Sequence, residues 1–506
     1  MLAKVSSASL IGIEAYVVDV EVDVSPGLPA LVTVGLPDTT VRESKERVRA
    51  ALKNCGYEFP SKKIIINLAP ADRKKEGSAF DLPISLGLLA HSDFFPFERI
   101  QDYLFMGELA LDGRLKPVKG VLSSAVIARK NGFKGIVIPK PDEKEAALVP
   151  GLSIYGMENL VQVVEFLRAP EDVPPCRYSL KEILPPQEYQ VDFQEVGGQQ
   201  HVKRALEVAA AGSHNILLIG PPGAGKTMLA RRLPTILPRM SFDEIIEVTQ
   251  VYSASGLLGE KGPLVERPFR APHHTISRAG MIGGGVIPKP GEVSLAHNGV
   301  LLLDELPEFR RPVLEDLRQP VEDGKVTVSR SSMSAIFPSS FMLVAAMNPC
   351  EDVYRGLASS SLDCTDSQRS RYYSKISGPL LDRIDIQVEV PCVKFRDITS
   401  RFMGESSVRI RQRVSKARAR QLRRFKGKKI YSNAQMDSKE IKKYCQVDEE
   451  GRGLLEMAVD RLGFSARAYD RVLKVSRTIA DLEGAAGIGP VHVSEAIQYR
   501  LLDRLF

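Results

Sequence analysis

Residues 220–227 read Gly220-Pro221-Pro222-Gly223-Ala224-Gly225-Lys226-Thr227, the pattern G-x-x-x-x-G-K-T. Its flanks agree with it. Asn215-Ile216-Leu217-Leu218-Ile219 runs in as a short, apolar, buried-type strand, and Met228-Leu229-Ala230-Arg231-Arg232-Leu233 follows as the start of a helix. A chance glycine-rich turn has no reason to carry both flanks in register. In this setting the backbone N–H groups of the turn and of the helix N-terminus converge on a phosphate. The Lys226 ammonium is then expected to neutralise the outer phosphates, and the Thr227 hydroxyl to hold a magnesium ion.

A second apolar strand, Val300-Leu301-Leu302-Leu303, ends in Asp304-Glu305. An acid at such a strand end reaches the magnesium beside the glycine loop, and Glu305 next to it is placed to orient water as a general base. A third buried-type strand, Phe341–Ala346, leads into Met347-Asn348-Pro349, so Asn348 is a candidate contact to the γ-phosphate or the attacking water. Gly378-Pro379-Leu380-Leu381-Asp382-Arg383-Ile384-Asp385 precedes a strand at Ile386–Val390. Arg383 is read either as pointing outward to complete a neighbouring subunit's site, or as paired within the chain to Asp382 or Asp385. Together these residues predict an α/β domain that hydrolyses ATP with Mg2+.

The 506 residues suggest three or four domains, and 43% hydrophobic content is that of an ordinary globular protein. No apolar run approaches membrane-spanning length, and the first residues lack the layout of a signal peptide, so a cytoplasmic location is expected. The six cysteines are scattered, without C-x-x-C, as befits reduced thiols. Net charge is only +7, but it is unevenly spread: eleven Lys and Arg residues lie between Arg409 and Lys429 with no acid among them. Such a block suits a phosphate backbone, or else a solvated helix face or a neighbour's acids.

Four parts are predicted. Residues 1–168 alternate β-branched runs (Ala15–Val24, Ala30–Val34, Ile64–Leu68, Gly135–Ile138) with helices such as Thr39–Asn54. Residues 169–192, rich in proline, read as a linker. The nucleotide domain is expected over 193–391, and a mostly helical domain over 392–506.

Longer motifs carry a resemblance. Arg270-Ala271-Pro272-His273-His274-Thr275-Ile276-Ser277, Pro290–Gly299, Asp304-Glu305-Leu306-Pro307-Glu308-Phe309 and Ser465-Ala466-Arg467-Ala468-Tyr469 resemble the magnesium-chelatase-like AAA+ ATPases, nearly end to end. The resemblance implies a central AAA+ P-loop domain and a C-terminal helical lid, while Glu76–Pro83 and Gly107–Leu115 resemble the Lon-type protease fold and imply an α+β N-terminal domain of that kind. It implies that Asn348 is sensor 1, Arg383 the arginine finger and Arg467 the sensor 2 arginine, with Gly198-Gln199 near the adenine. It further implies a homo-hexameric ring whose loops around Ser277–Pro290 and Lys325–Phe341 enter a central pore. Arg278, Lys289, Lys325 and Arg330 are then candidate DNA contacts, joined by Arg418, Arg420, Arg423 and Arg424 of the basic block. ComM-like members resemble helicases that drive branch migration, so single-stranded or branched DNA is the expected partner. The alternative is remodelling of proteins, or chelatase-like assistance in metal insertion.

Three further sites invite a metal or protease reading. Adjacent His273 and His274 have no third ligand at a ligating spacing. Relatives carry a cysteine quartet after sensor 1, whereas this chain keeps Cys350 and Cys364 beside Asp352 and Leu362, so no structural zinc is expected. In the Lon-like segment Ser78 lies where the nucleophile belongs, but the lysine position is Leu122 and Lys119 is offset, so the domain is read as non-proteolytic.

Overall fold

The computed structural model describes residues 2–501 except 93, 185–188, 259–261, 286–287, 331–332, 350–371, 373–374, 377, 393–403 and 429. The residues Cys350, Asp352, Leu362 and Cys364 therefore lie outside the described part. The chain forms two compact units. One comprises Met1–Pro186, Ser241–Val265 and Ser331–Ile336; the other comprises Gln187–Met240, Glu266–Arg330 and Phe337–Phe506. Among the described residues no helix is long and apolar enough to cross a membrane.

The first unit is built on a four-stranded sheet in the order Leu2–Ile11, Glu14–Ser25, Lys63–Ala69, Ala30–Val34. The first three strands are antiparallel, and the last runs parallel to its neighbour. Period-2 alternation sends Ile64, Ile66 and Leu68 inward with Val18, Val20 and Val22, against Val41, Val48 and Leu52 of the helix Thr39–Asn54. That helix begins where Asp38 accepts a hydrogen bond from the Val41 amide at 2.8 Å, the usual capping of orphan N–H groups. A second, parallel sheet pairs Tyr103–Phe105, Gly135–Pro139 and Ser153–Met157. The stretch expected as a linker is folded into this unit as far as residue 184: the Cys176 amide donates to the Ile154 carbonyl at 2.8 Å, and Ile183 is buried.

The helix Phe242–Ser255 falls within the span expected to be the nucleotide domain, yet it belongs to the first unit. It starts with a reciprocal capping box between Ser241 and Glu244 and ends at Gly256, φ 72°. Two of its apolar residues, Phe242 and Ile246, pack on the cluster that contains Leu122, Ala125 and Ile138. The Ser253 hydroxyl donates to Glu145 Oε1 at 2.5 Å and accepts from the Gly120 amide at 3.0 Å. Glu145 also accepts from the Leu122 amide, so one buried carboxylate ties three segments.

In the second unit five parallel strands are ordered Phe269–Arg270, Val300–Leu303, Met342–Met347, Ile216–Ile219, Ile386–Glu389. The apolar runs of the three central strands are buried on both faces, as parallel sheets require. Ile410, Val414 and Ala417 of the helix Ser407–Arg424 and Val472, Val475 and Ile479 of Ala466–Glu483 share this core with the sheet.

Candidate nucleotide-binding site

Parallel pairing sets the site. Ile219 lies opposite Met347, and Leu303 opposite Ala345, so the ends of three strands open on one side of the sheet. From the first of these ends springs the glycine loop. Gly220 is pressed against the outer strand: a Cβ there would meet the Val390 carbonyl oxygen at 2.1 Å. Gly223 and Gly225 hold φ of 77° and 90°, which only glycine adopts without strain. The helix Lys226–Ile236 begins directly after them. Pro221 and Pro222 form the outer part of the loop and Ala224 its buried underside. Gln199, itself at φ 53°, braces the loop by donating from Nε2 to the carbonyls of Ala224 and Pro391 at 2.9 and 3.0 Å.

The Lys226 ammonium donates to the Gly220 and Pro221 carbonyls at 2.7 and 2.8 Å and to Asn348 Oδ1 at 3.0 Å. Burial lowers its pKa, with the Asp304 charge acting against that shift. Thr227 donates from its hydroxyl to Asp304 Oδ2 at 2.5 Å. A hydroxyl and a carboxylate so close are the hard oxygen donors that Mg2+ favours, so these residues fit the ion that accompanies ATP. Asp304 Oδ1 accepts from the Glu305 amide at 3.0 Å. Glu305 sits at φ 54°, a conformation uncommon outside glycine and frequent at functional sites. Its carboxylate faces His274 Nδ1 at 3.4 Å. His274 stacks on His273 with ring centroids 4.0 Å apart, while His273 Nδ1 lies 2.9 Å from the Thr275 hydroxyl. A place for His274 beside Glu305 went unforeseen, because nothing in the spacing of residues 274 and 305 signals it.

Arg383 and Arg467 form a second cluster. Arg383 pairs with neither Asp382 nor Asp385; its Nη2 donates to the Glu322 carboxylate. Asp382 instead accepts from Arg467 Nη1 at 3.2 Å, and Asp385 is held by buried His214 at 3.2 Å and Arg471 at 3.5 Å. Burial works to raise the Asp385 carboxyl, but the His214 hydrogen bond and the neighbouring positive charges outweigh it and hold the group at about 2.

Three of the four arginines of the basic block are engaged within the fold. Arg418 donates to the carbonyls of Ala211 and Ala210 and to the Ser213 hydroxyl, Arg420 to the Asp481 carbonyl, and Arg424 to the Asp481 carboxylate at 2.8 Å. The carbonyls at residues 210 and 211 are orphan acceptors at the C-terminus of the helix Gln200–Gly212, where cations are stabilised. Arg423 alone of the four is exposed. Arg278 is engaged bidentately with Asp316 at 2.5 and 2.7 Å. Lys289, on a two-residue strand opposite Gly284, and Lys325, at the start of the hairpin strand Lys325–Arg330, are exposed; the Arg330 side chain lies outside the described part. In the first unit Ser78 donates to the Glu108 carboxylate and Leu122 is fully buried, so the serine partner is an acid.

Placing a lysine and a threonine after a glycine loop, an acid at the end of the neighbouring-but-one strand and an asparagine on the strand between them is how P-loop ATPases assemble their centre, and this protein is one of them. Family profiles agree along the chain: "Subunit ChlI of Mg-chelatase" matches residues 20–142, "Magnesium chelatase, subunit ChlI" residues 192–398, and "Magnesium chelatase, subunit ChlI C-terminal" residues 404–500. The chain is 44% identical over 508 residues to competence protein ComM of Haemophilus influenzae, covering 100% of this chain and 98% of that protein. It is likewise 44% identical over 510 residues to protein YifB of Escherichia coli, with the same coverage. A shorter match, 30% identical over 156 residues, joins 29% of the chain to 28% of Lon protease 2 of Bacillus subtilis. The chain belongs to the magnesium-chelatase-like ComM/YifB family of AAA+ ATPases.

Proposed function

We propose that this protein is an ATP-driven DNA-remodelling motor of the cytoplasm, a homo-hexameric helicase or branch-migration factor that acts in recombination or natural transformation. Full-length similarity, at 44% identity, to a protein named for competence carries this reading. Exposed Lys289 and Lys325, on the glycine-rich insert and at the foot of the hairpin, support contact with a phosphate backbone. The N-terminal unit is taken as a Lon-like fold without peptidase activity, serving recognition or assembly.

Magnesium-bound ATP supplies the scissile γ-phosphoryl group and the cation that neutralises its oxygens. The chain does the rest. Lys226 exchanges its carbonyl partners for phosphate oxygens, Thr227 and Asp304 present oxygen donors, and Asn348 orients water. Glu305, whose Oε2 lies 3.4 Å from His274 Nδ1, takes the proton from that water. Arg383 stabilises charge on the phosphoryl group of an adjacent subunit, and Arg467 closes the lid over its own nucleotide.

Commitment of Arg418, Arg420 and Arg424 inside the fold favours a second reading, the remodelling of proteins. ATPase rates without DNA, with single-stranded DNA and with a four-way junction separate the two, with Glu305→Gln as the inactive control. Stimulation greatest on branched DNA is the expected result; turnover indifferent to DNA turns the assignment to proteins.

A further inference from the structure

Around Arg383 the backbone carbonyls are anchored by side-chain donors. The Arg383 carbonyl accepts from Asn215 Nδ2 at 2.9 Å, at the foot of the strand that feeds the glycine loop. Next to it the Ile384 carbonyl accepts from Arg471 Nη1 at 3.3 Å and from Arg500. The guanidinium, by contrast, is only partly used. Nη1 donates to the Pro379 carbonyl at 2.6 Å and Nη2 to Glu322, while buried Nε finds no hydrogen-bond partner among the described residues. A buried donor left without an acceptor costs free energy. The ion pair is also lopsided: the Arg383 side chain is 15% exposed, the Glu322 side chain 63%. Glu322 is thus an acceptor that can be withdrawn.

Glu322 stands at the end of the helix Arg318–Asp323. Gly324 follows at φ 63°, its carbonyl accepting from the Ser339 amide at 2.8 Å, and the hairpin strand Lys325–Arg330 begins at once. A shift of that strand has two residues of chain in which to be absorbed before it reaches Glu322. Both a carboxylate and a phosphate would take the same Nη2 donor, so the two acceptors compete for it.

We propose that Glu322 is a positioning residue for Arg383: it parks the guanidinium within its own subunit, and movement of the hairpin strand releases it to a phosphate of the neighbouring subunit's nucleotide. This inference rests on the reading of Arg383 as a trans-acting arginine. It makes the state of the hairpin a control on hydrolysis next door, with no contact between Glu322 and any nucleotide.

Steady-state ATPase of the full chain tests it, using Glu322→Gln, Glu322→Asp, Arg383→Ala and the double variant Glu322→Gln/Arg383→Ala, with and without single-stranded DNA. An exposed ion pair is worth little, so Glu322→Gln is expected to raise DNA-free kcat by roughly two- to fivefold. The ATP KM stays unchanged, and stimulation by DNA shrinks by the same factor. Glu322→Asp returns kcat to the wild-type value, and the double variant is as inactive as Arg383→Ala. Wild-type or lowered kcat in Glu322→Gln, with Arg383→Ala inactive, overturns the parking role while leaving the trans arginine in place. A gain that persists in the double variant shows Glu322 acting elsewhere. Wild-type kcat in Arg383→Ala removes the trans arginine itself, and the proposal with it.

Discussion

His274 Nδ1 lies 3.4 Å from Glu305 Oε2, so the carboxylate read as the general base rests against an imidazole from the neighbouring sheet edge. Both side chains are partly exposed, and such pairs contribute under about 1 kcal/mol. His274→Ala is therefore expected to raise DNA-free kcat by no more than roughly fivefold, leaving ATP affinity unchanged. Glu305→Gln keeps ATP binding and abolishes hydrolysis. Nucleotide titration beside phosphate release checks both, and hydrolysis surviving in Glu305→Gln would remove that residue as the base.

Gly220 has no room for a side chain, its missing Cβ standing 2.1 Å from the Val390 carbonyl. Gly220→Ala must displace backbone, a change that costs about 1–3 kcal/mol in packed interiors, and it distorts the loop that carries Lys226. Thermal unfolding should fall and ATP binding weaken together. Lys226→Ala, by contrast, weakens binding with little effect on unfolding, since it removes a buried cation whose pKa burial already lowers.

Burial pushes the Asp142 carboxyl up to about 7, with the Val118 amide at 3.0 Å offsetting only part of the shift. Its unfolded value is about 3.9. Between these values the folded chain holds a proton that the unfolded chain has lost, so stability falls as pH rises and stops falling above about 7. From pH 5.5 to 8 this group removes about 2 kcal/mol. Asp142→Asn should flatten the slope, leaving the smaller part due to Asp81, raised to about 6 by burial, and to Glu145, also raised by burial. Denaturant unfolding at the two pH values measures it; an unaltered slope would mean that Asp142 ionises freely.

Arg424 holds Asp481, which is nearly inaccessible and also bonded by Arg477 and Asn433. Arg424→Ala should cost roughly 3 kcal/mol, the low end for breaking a buried pair, because the other two partners remain. Arg423→Ala should leave stability unchanged. If Arg424→Ala instead lowers DNA affinity at unaltered stability, the basic block is a DNA surface after all.

Much of the fold was legible where information is local. The helix Thr39–Asn54 and the strand Ala30–Val34 occupy the residues that periodicity and capping indicate. Leu2–Ile11 was missed as a strand because its inward positions include Ser7 and Ser9, which break the apolar alternation. The segment 169–184 looked like a linker because proline density hides tertiary packing such as that of Ile183.

For the chemistry the division is similar. By itself the sequence determined the phosphate-binding loop, Asp304-Glu305 and Asn348, because each follows a short buried strand directly and parallel pairing brings strand ends together. Tertiary structure alone decided which charges meet. Arg383 found Glu322, Arg418 found the end of a helix some two hundred residues earlier in the chain, and Phe242–Ser255 left the sheet it interrupts for a cluster around Leu122. Partnerships between residues so far apart depend on where folded surfaces come to lie, and a run of like charges carries no sign of the acids or carbonyls that will cover it.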